Sequence, residues 1–227
     1  FRKFTLHTKI VLVLTFSLIV IGFVFFFILE TTNPDTLGNL SMKNKILGSL
    51  FQAVTPRTAG FNTMPLADMT HGSKFMTIIL MFIGGSPAGT AGGVKTVTMG
   101  VIILTVISGI RGKERTEAFE RTIPEDIIKR ALAVITIGIT VVITVTMILS
   151  VTETGSFMDI LFESVSAFAT VGLTLGLTGS LTTIGKIVIC ITMFIGRLGP
   201  LTMAVALSMR ARSKASMKKP DEKVMVG

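Results

Sequence analysis

The sequence predicts an all-α membrane protein built from two copies of one unit, in which a span, a short helix, a turn and a second span follow one another. Three observations predict it. Of the 227 residues 49% are hydrophobic and only 15% are charged, with a mean hydropathy of +0.74, whereas a soluble domain carries about a quarter charged residues. The apolar residues fall in long uncharged blocks rather than amphipathic patterns. The two halves also repeat each other at an offset near 112 residues.

Crossing a hydrocarbon core about 30 Å thick takes roughly 20 apolar residues. Ile10 to Leu29 is such a run, uncharged and preceded by Arg2, Lys3 and Lys9. It is too long for the apolar region of a signal peptide, and no small-residue cleavage site follows, so it reads as a true span. Ala131 to Val151 is a second uncharged run. Phe75 to Ile110 is about 36 residues, too long for one straight span, and is interrupted by a Gly-rich stretch from Gly84 to Gly93 and by Lys95. Ile184 to Met209 completes the set, with Arg197 near its middle. With four crossings, the basic residues before the first span, those from Arg111 to Arg130 and those from Arg210 to Lys223 fall on one side. The positive-inside rule then predicts a multi-pass protein of the cell membrane with both termini cytoplasmic. Because the first residue is Phe1 rather than Met, the chain is expected to be a piece of a longer polypeptide or a processed product.

Composition excludes other classes. One cysteine, Cys190, permits no internal disulfide, and His7 and His71 have no metal-spaced partners. The net charge of +9 sits at span ends without aromatic interleaving, so nucleic acid is not an expected partner. The spans hold no nucleophile–base pair or carboxylate dyad, which argues against an enzyme. Gly89 to Thr96 imitates a phosphate loop, but Val94 separates the glycine from Lys95 and no strand precedes it.

The repeat is carried by three matches in one order. Leu50-Phe51-Gln52-Ala53-Val54-Thr55 aligns with Leu161-Phe162-Glu163-Ser164-Val165-Ser166, Thr58-Ala59-Gly60-Phe61 with Thr170-Val171-Gly172-Leu173, and Met81-Phe82-Ile83-Gly84 is identical to Met193-Phe194-Ile195-Gly196. The segments Met42 to Val54 and Met158 to Ala169 are too short to cross, so each either dips into the membrane and returns or lies on its surface. Non-helical backbone at membrane depth survives where it lines a cavity. A Thr-x-Gly turn there suits cation chemistry, because glycine lets successive carbonyls point at a common axis and carbonyl oxygens replace an ion's hydration shell.

At these residues the sequence resembles the Trk/Ktr/HKT superfamily of potassium transporters, whose pore subunit has four M1–P–M2 repeats around one pathway. The resemblance implies that residues 1–111 are the third repeat, 112–126 a cytoplasmic linker, 127–210 the fourth repeat and 211–227 a cytoplasmic basic tail. It implies an ion filter formed by Thr58, Ala59, Gly60, Phe61 and Asn62 with Thr170, Val171, Gly172 and Leu173, their backbone carbonyls holding the transported potassium ion. The small-residue-rich stretch 83–96 resembles the intramembrane loop that gates the pore, with Gly84, Gly85, Ser86, Gly89, Thr90, Gly92, Gly93 and Lys95 as its gate residues and Arg197 as the pore-facing arginine opposite. The implied partners are the missing N-terminal half of the subunit, a second copy in a homodimer, a cytosolic nucleotide-binding RCK (KTN) ring and the lipid bilayer, with no organic cofactor. A sodium-permeable relative and a non-transporting membrane scaffold are the alternatives.

Several residues carry two readings. The glycines of the loop satisfy small-xxx-small helix packing at Gly85/Gly89 and Gly89/Gly93, but Pro87 and five glycines in the ten residues 84–93 disfavour helix and favour a flexible plug. Arg197 reads as pore-facing or as structurally paired, and Lys95 as functional or as snorkelling to the interface. Arg57 is expected to be an outer-surface anchor. Glu163 either braces the second turn by hydrogen bonding or is an exposed helix-face charge.

Overall fold

The computed structural model describes residues 4–199 except 88, 90 and 114; the end of the last apolar stretch and the basic tail lie outside the described residues. Helices α1 (Leu6–Glu30) and α5 (Glu125–Thr152) are 25 and 28 residues long, or about 38 and 42 Å. Both are long and apolar enough to cross a membrane. The Thr5 hydroxyl caps the start of α1 by accepting from the Thr8 N–H. Glu125 and Asp126 place negative charge at the positive end of the α5 dipole.

Each long helix is followed by a short one, α2 (Met42–Val54) and α6 (Phe157–Phe168), then a turn, a few residues of 3-10 helix and another helix, α3 (His71–Phe82) or α7 (Thr183–Leu198). In the first half the chain continues into α4 (Thr96–Ile110). Between α3 and α4 it leaves helical geometry, and the neck of this loop is closed by backbone bonds. The Val94 N–H donates to Phe82 (3.1 Å) and the Thr96 N–H to Gly85 (3.2 Å). The long Phe75 to Ile110 stretch is therefore two helices of about 18 and 22 Å with a loop between them.

The beginnings of α1 and α5 meet α4 in one apolar cluster that includes Ile10, Val101 and Ala131. The linker from α4 to α5 carries a two-stranded hairpin, β1 (Glu117–Ala118) and β2 (Arg121–Thr122). Its tip residues Phe119 and Glu120 both have positive φ (50° and 65°), the geometry of a type I′ turn. Lys9 stacks over Phe119 at 5.7 Å and ties the hairpin to the start of α1.

Helix α6 sits among α3, α5 and α7. Phe162, Val165 and Phe168 are buried there, and Phe82 stacks on Phe168 at 5.9 Å. Lipid tails are as apolar as leucine, so close packing rather than water exclusion must hold such helices together. Small residues supply it: a Cβ on Gly138 would lie 3.1 Å from the Phe168 ring, one on Gly22 3.1 Å from Ala53 and Leu80, and one on Gly196 would collide with the Phe168 carbonyl. Facing outward are exposed apolar side chains such as Phe16, Ile143 and Phe194, the surface expected against lipid or further protein.

Candidate functional site

The first turn begins where α2 ends. The N–H groups of Ala59 and Gly60 both donate to the Thr55 carbonyl (3.1 and 3.2 Å). The Thr55 hydroxyl accepts from the Phe61 N–H at 3.0 Å and donates to the Phe61 carbonyl, closing the loop side to side. Within this turn Thr58 (φ 75°) and Gly60 (φ 77°) are left-handed. The second turn repeats the pattern after α6, with Thr170 at φ 52° and Gly172 at φ 88°. There the Thr170 N–H donates to Ala167 (3.1 Å) and the Val171 N–H to Ser166 (2.9 Å).

Two features of these turns run against stability. A β-branched residue at positive φ is an outlier costing about 1–3 kcal/mol. In addition, the hydroxyls of Thr58 and Thr170 are buried without a hydrogen-bond partner among the described residues, a rare condition in folded proteins. Both departures fall at the same position of both turns. The turns also touch, since a Cβ on Gly60 would collide with the Val171 carbonyl oxygen, while Gly172 has open space beside it. Ala59, Phe61, Asn62 and Gly172 are exposed, and Val171 and Leu173 are buried.

The loop between α3 and α4 lies against the second turn. A Cβ on Gly92 would strike the Thr170 hydroxyl and lie 2.7 Å from the Ala169 carbonyl oxygen, and one on Gly93 would lie 3.2 Å from the Ala169 Cβ. Inside the loop a Cβ on Gly84 would collide with the Gly92 carbonyl, and one on Gly85 would sit 2.7 Å from the Ala91 Cβ. Lys95 folds back, donating from Nζ to the Ala91 carbonyl. A cavity of about 300 Å³ is lined by loop residues Gly89, Ala91, Gly93 and Lys95 and by Gly196 and Arg197 from the end of α7. Loop and arginine thus border one space. Ser86 is half-buried in the loop; Thr90 lies outside the described residues.

Arg57 departs from the surface anchor expected of it. Its guanidinium points along α1 to the Thr15 carbonyl and hydroxyl, both at 3.5 Å, and its Nε is buried without a partner. The turn after α2 lies beside the middle of α1, which leaves Arg57 half-buried next to Thr15 rather than at the end of a span. Glu163 is the bracing carboxylate of its two readings: it is buried and accepts from the hydroxyls of Thr174 (2.8 Å) and Thr178 (2.5 Å) in the chain that follows the second turn. Its repeat mate Gln52 is fully buried and reaches Thr77 at 3.4 Å.

Sequence reasoning missed two carboxylates. Glu30, the last residue of α1, accepts from the N–H (3.0 Å) and hydroxyl (2.8 Å) of Thr70, the residue that caps α3. Glu153, just beyond α5, accepts in the same way from the N–H (2.8 Å) and hydroxyl (2.5 Å) of Thr182, which caps α7. The local signal was a threonine preceding each apolar helix, but its acidic partner lies 40 and 29 residues away.

A family model described as TrkH, cation transport protein, matches residues 1–219. The chain is 46% identical over its whole length to the Ktr system potassium uptake protein B of Bacillus subtilis (strain 168), of which it covers 51%. It is 41% identical, again over its whole length and 51% of the relative, to the potassium/sodium uptake protein NtpJ of Enterococcus hirae. The chain thus spans about half the length of the curated relatives it matches. The crystal structure of the potassium transporter TrkH from Vibrio parahaemolyticus shares the fold, with a TM-score of 0.72 and 20% identity over 86% of this chain and 43% of that one.

Proposed function

Because the chain belongs to the TrkH family of cation transport proteins, a family of membrane transporters and not of enzymes, we propose that it supplies two of the four M1–P–M2 repeats around a potassium pathway. Residues 1–111 and 127–210 are the third and fourth repeats. Helices α2 and α6 are their pore helices, the Thr58–Asn62 and Thr170–Leu173 turns are half of the filter wall, and the 83–96 loop with Arg197 is the gate. The observation that carries this reading is the repeated turn: two touching segments, each with a strained threonine whose buried hydroxyl has no partner among the described residues. Strain at matching positions of both turns marks a functional segment rather than a mere connection, and irregular backbone rich in carbonyl oxygens is the chemistry that replaces a cation's hydration shell.

The chemistry is passive coordination. Carbonyl and hydroxyl oxygens replace water around the ion, and the short helices aim the negative ends of their dipoles at it. Below the filter, the loop narrows the path and the Arg197 charge raises a barrier to a cation there. By the positive-inside rule both termini are cytoplasmic, which puts the 112–126 linker and the 211–227 tail on the side of the proposed RCK ring; the other half of the subunit and a second copy complete the assembly. A sodium-permeable pathway is the second reading, favoured by the 41% identity to a protein named for potassium and sodium uptake.

The test is cation uptake by the full-length subunit carrying Gly60→Ser or Gly172→Ser. Both impose a side chain on a positive φ, and at Gly60 it also meets the Val171 carbonyl. Potassium-over-sodium preference is expected to fall in both, further in Gly60→Ser. An unchanged ratio in folded protein overturns the filter assignment, and a wild type that takes up both ions equally supports the second reading.

A further inference from the structure

Away from the turns and the loop, a cavity of about 450 Å³ opens between the end of α4, the hairpin linker and the start of α5. Ser108 lines it from α4, and the residue is 6% exposed. Thr116, also 6% exposed, lines it from the linker, its hydroxyl meeting only Thr105 at a long 3.4 Å. Two cations complete the wall. Arg115 is exposed and makes no ion pair among the described residues. Lys113 bonds Glu117 at 2.8 Å, both side chains being about half exposed, a surface pair that an incoming anion displaces at little cost. Among the described residues the carboxylate of Glu125 also borders the cavity, its charge partly offset by Lys129 at 3.8 Å.

The cavity sits at a defined depth. It borders the first turns of α5, where charged residues from Glu125 to Arg130 give way to the uncharged stretch from Ala131. Ile123, Pro124 and Ile128 give it an apolar side. A space with hydroxyl and cationic donors on one side and hydrocarbon on the other, at the end of a spanning helix, is matched to a phosphate group. Basic pockets between spanning helices hold lipid headgroups for this reason.

We propose that this cavity binds a phosphate group at the membrane surface, held by the hydroxyls of Ser108 and Thr116 and the charges of Lys113 and Arg115. That group is the headgroup phosphate of an anionic phospholipid or the free anion. The proposal is independent of the filter assignment, because its readout is binding and not transport.

The test uses the full-length subunit in detergent, titrated with phosphatidylglycerol, phosphatidylcholine or inorganic phosphate and followed by native mass spectrometry and thermal unfolding. Phosphatidylglycerol is expected to bind about tenfold more tightly than phosphatidylcholine, and Arg115→Ala to lose about tenfold of that affinity. Ser108→Ala keeps the cavity's shape while removing its buried donor, and is expected to weaken binding without lowering ligand-free stability. Displacement of the lipid by millimolar inorganic phosphate identifies the free anion as a ligand of the same site; failure to displace identifies the lipid. Absence of binding by both probes, or equal affinity in wild type and both variants, overturns the proposal.

Discussion

Thr58 and Thr170 are held where the backbone opposes them and their hydroxyls have no partner among the described residues, which separates a stability role from a transport role. Thr170→Val keeps the β-branched shape and deletes the orphan. Removing an unsatisfied buried hydroxyl is neutral or stabilising, so thermal stability is expected to hold or rise while potassium uptake falls several-fold; loss of stability with uptake intact refutes the assignment. Arg197 is the converse case. Arg197→Ala is expected to raise flux and leave the potassium-over-sodium ratio nearly unchanged, since the cavity it borders belongs to the loop rather than to the turns. Poor yield of folded protein without a flux gain would instead assign it a buried partner. Glu153 gives a pH prediction. The Thr182 hydroxyl, then its N–H, hold the carboxyl below the usual carboxylate value. A depressed carboxyl stabilises the fold above its unfolded pKa, and that stabilisation is lost as pH falls through the folded value. Melting temperature of the full-length protein should therefore drop with acidification below about pH 4.5, and by less in Glu153→Gln; equal acid slopes in the two proteins would show that the contact contributes nothing.

Among the elements, the α3–α4 loop makes the most direct prediction. Its glycines leave room for the second turn to lie against it, so removing part of 86–91 is expected to open the path beneath that turn. Flux should rise and depend less on the proposed cytosolic ring. A folded deletion that conducts no faster would make the loop a packing device. How much of this was legible follows from range. The long helices and the short helices between them announce themselves in uncharged runs and in their lengths, because both are local properties. The break before Thr96 shows as Pro87 and clustered glycines for the same reason. The hairpin left no trace: its strands are two residues each and its type I′ tip is Phe119-Glu120, without the Asn or Gly that normally marks one. Arg57 was misplaced because its depth depends on the direction in which α2 enters the bundle, which no local pattern states. The Glu30 and Glu153 contacts and the cavity beside Ser108 join segments distant in sequence, and one chain without relatives does not reveal such pairs.

At the scale of the whole molecule the chain spans about half the length of its matched relatives, and on the proposed reading its two touching turns are half of a filter wall. Expressed alone, the 227 residues are expected to insert in membranes without selective uptake, and co-expression with the remaining half of the subunit is expected to restore it. Selective uptake by the chain alone would show that copies of this half close the ring themselves. The two glutamate contacts have a mechanical consequence. Glu30 and Glu153 sit at the same ends of α1 and α5, and each fastens that end to the threonine that caps α3 or α7. A rod pinned at one end moves least at the pin and most at its free tip. Tilting α5 by about 5° about Glu153 would carry its far end through about 4 Å while the clasp scarcely shifts. A small tilt of either helix about its glutamate is therefore felt most at the opposite end, where α1 and α5 meet α4 and the linker, and least at the clasp.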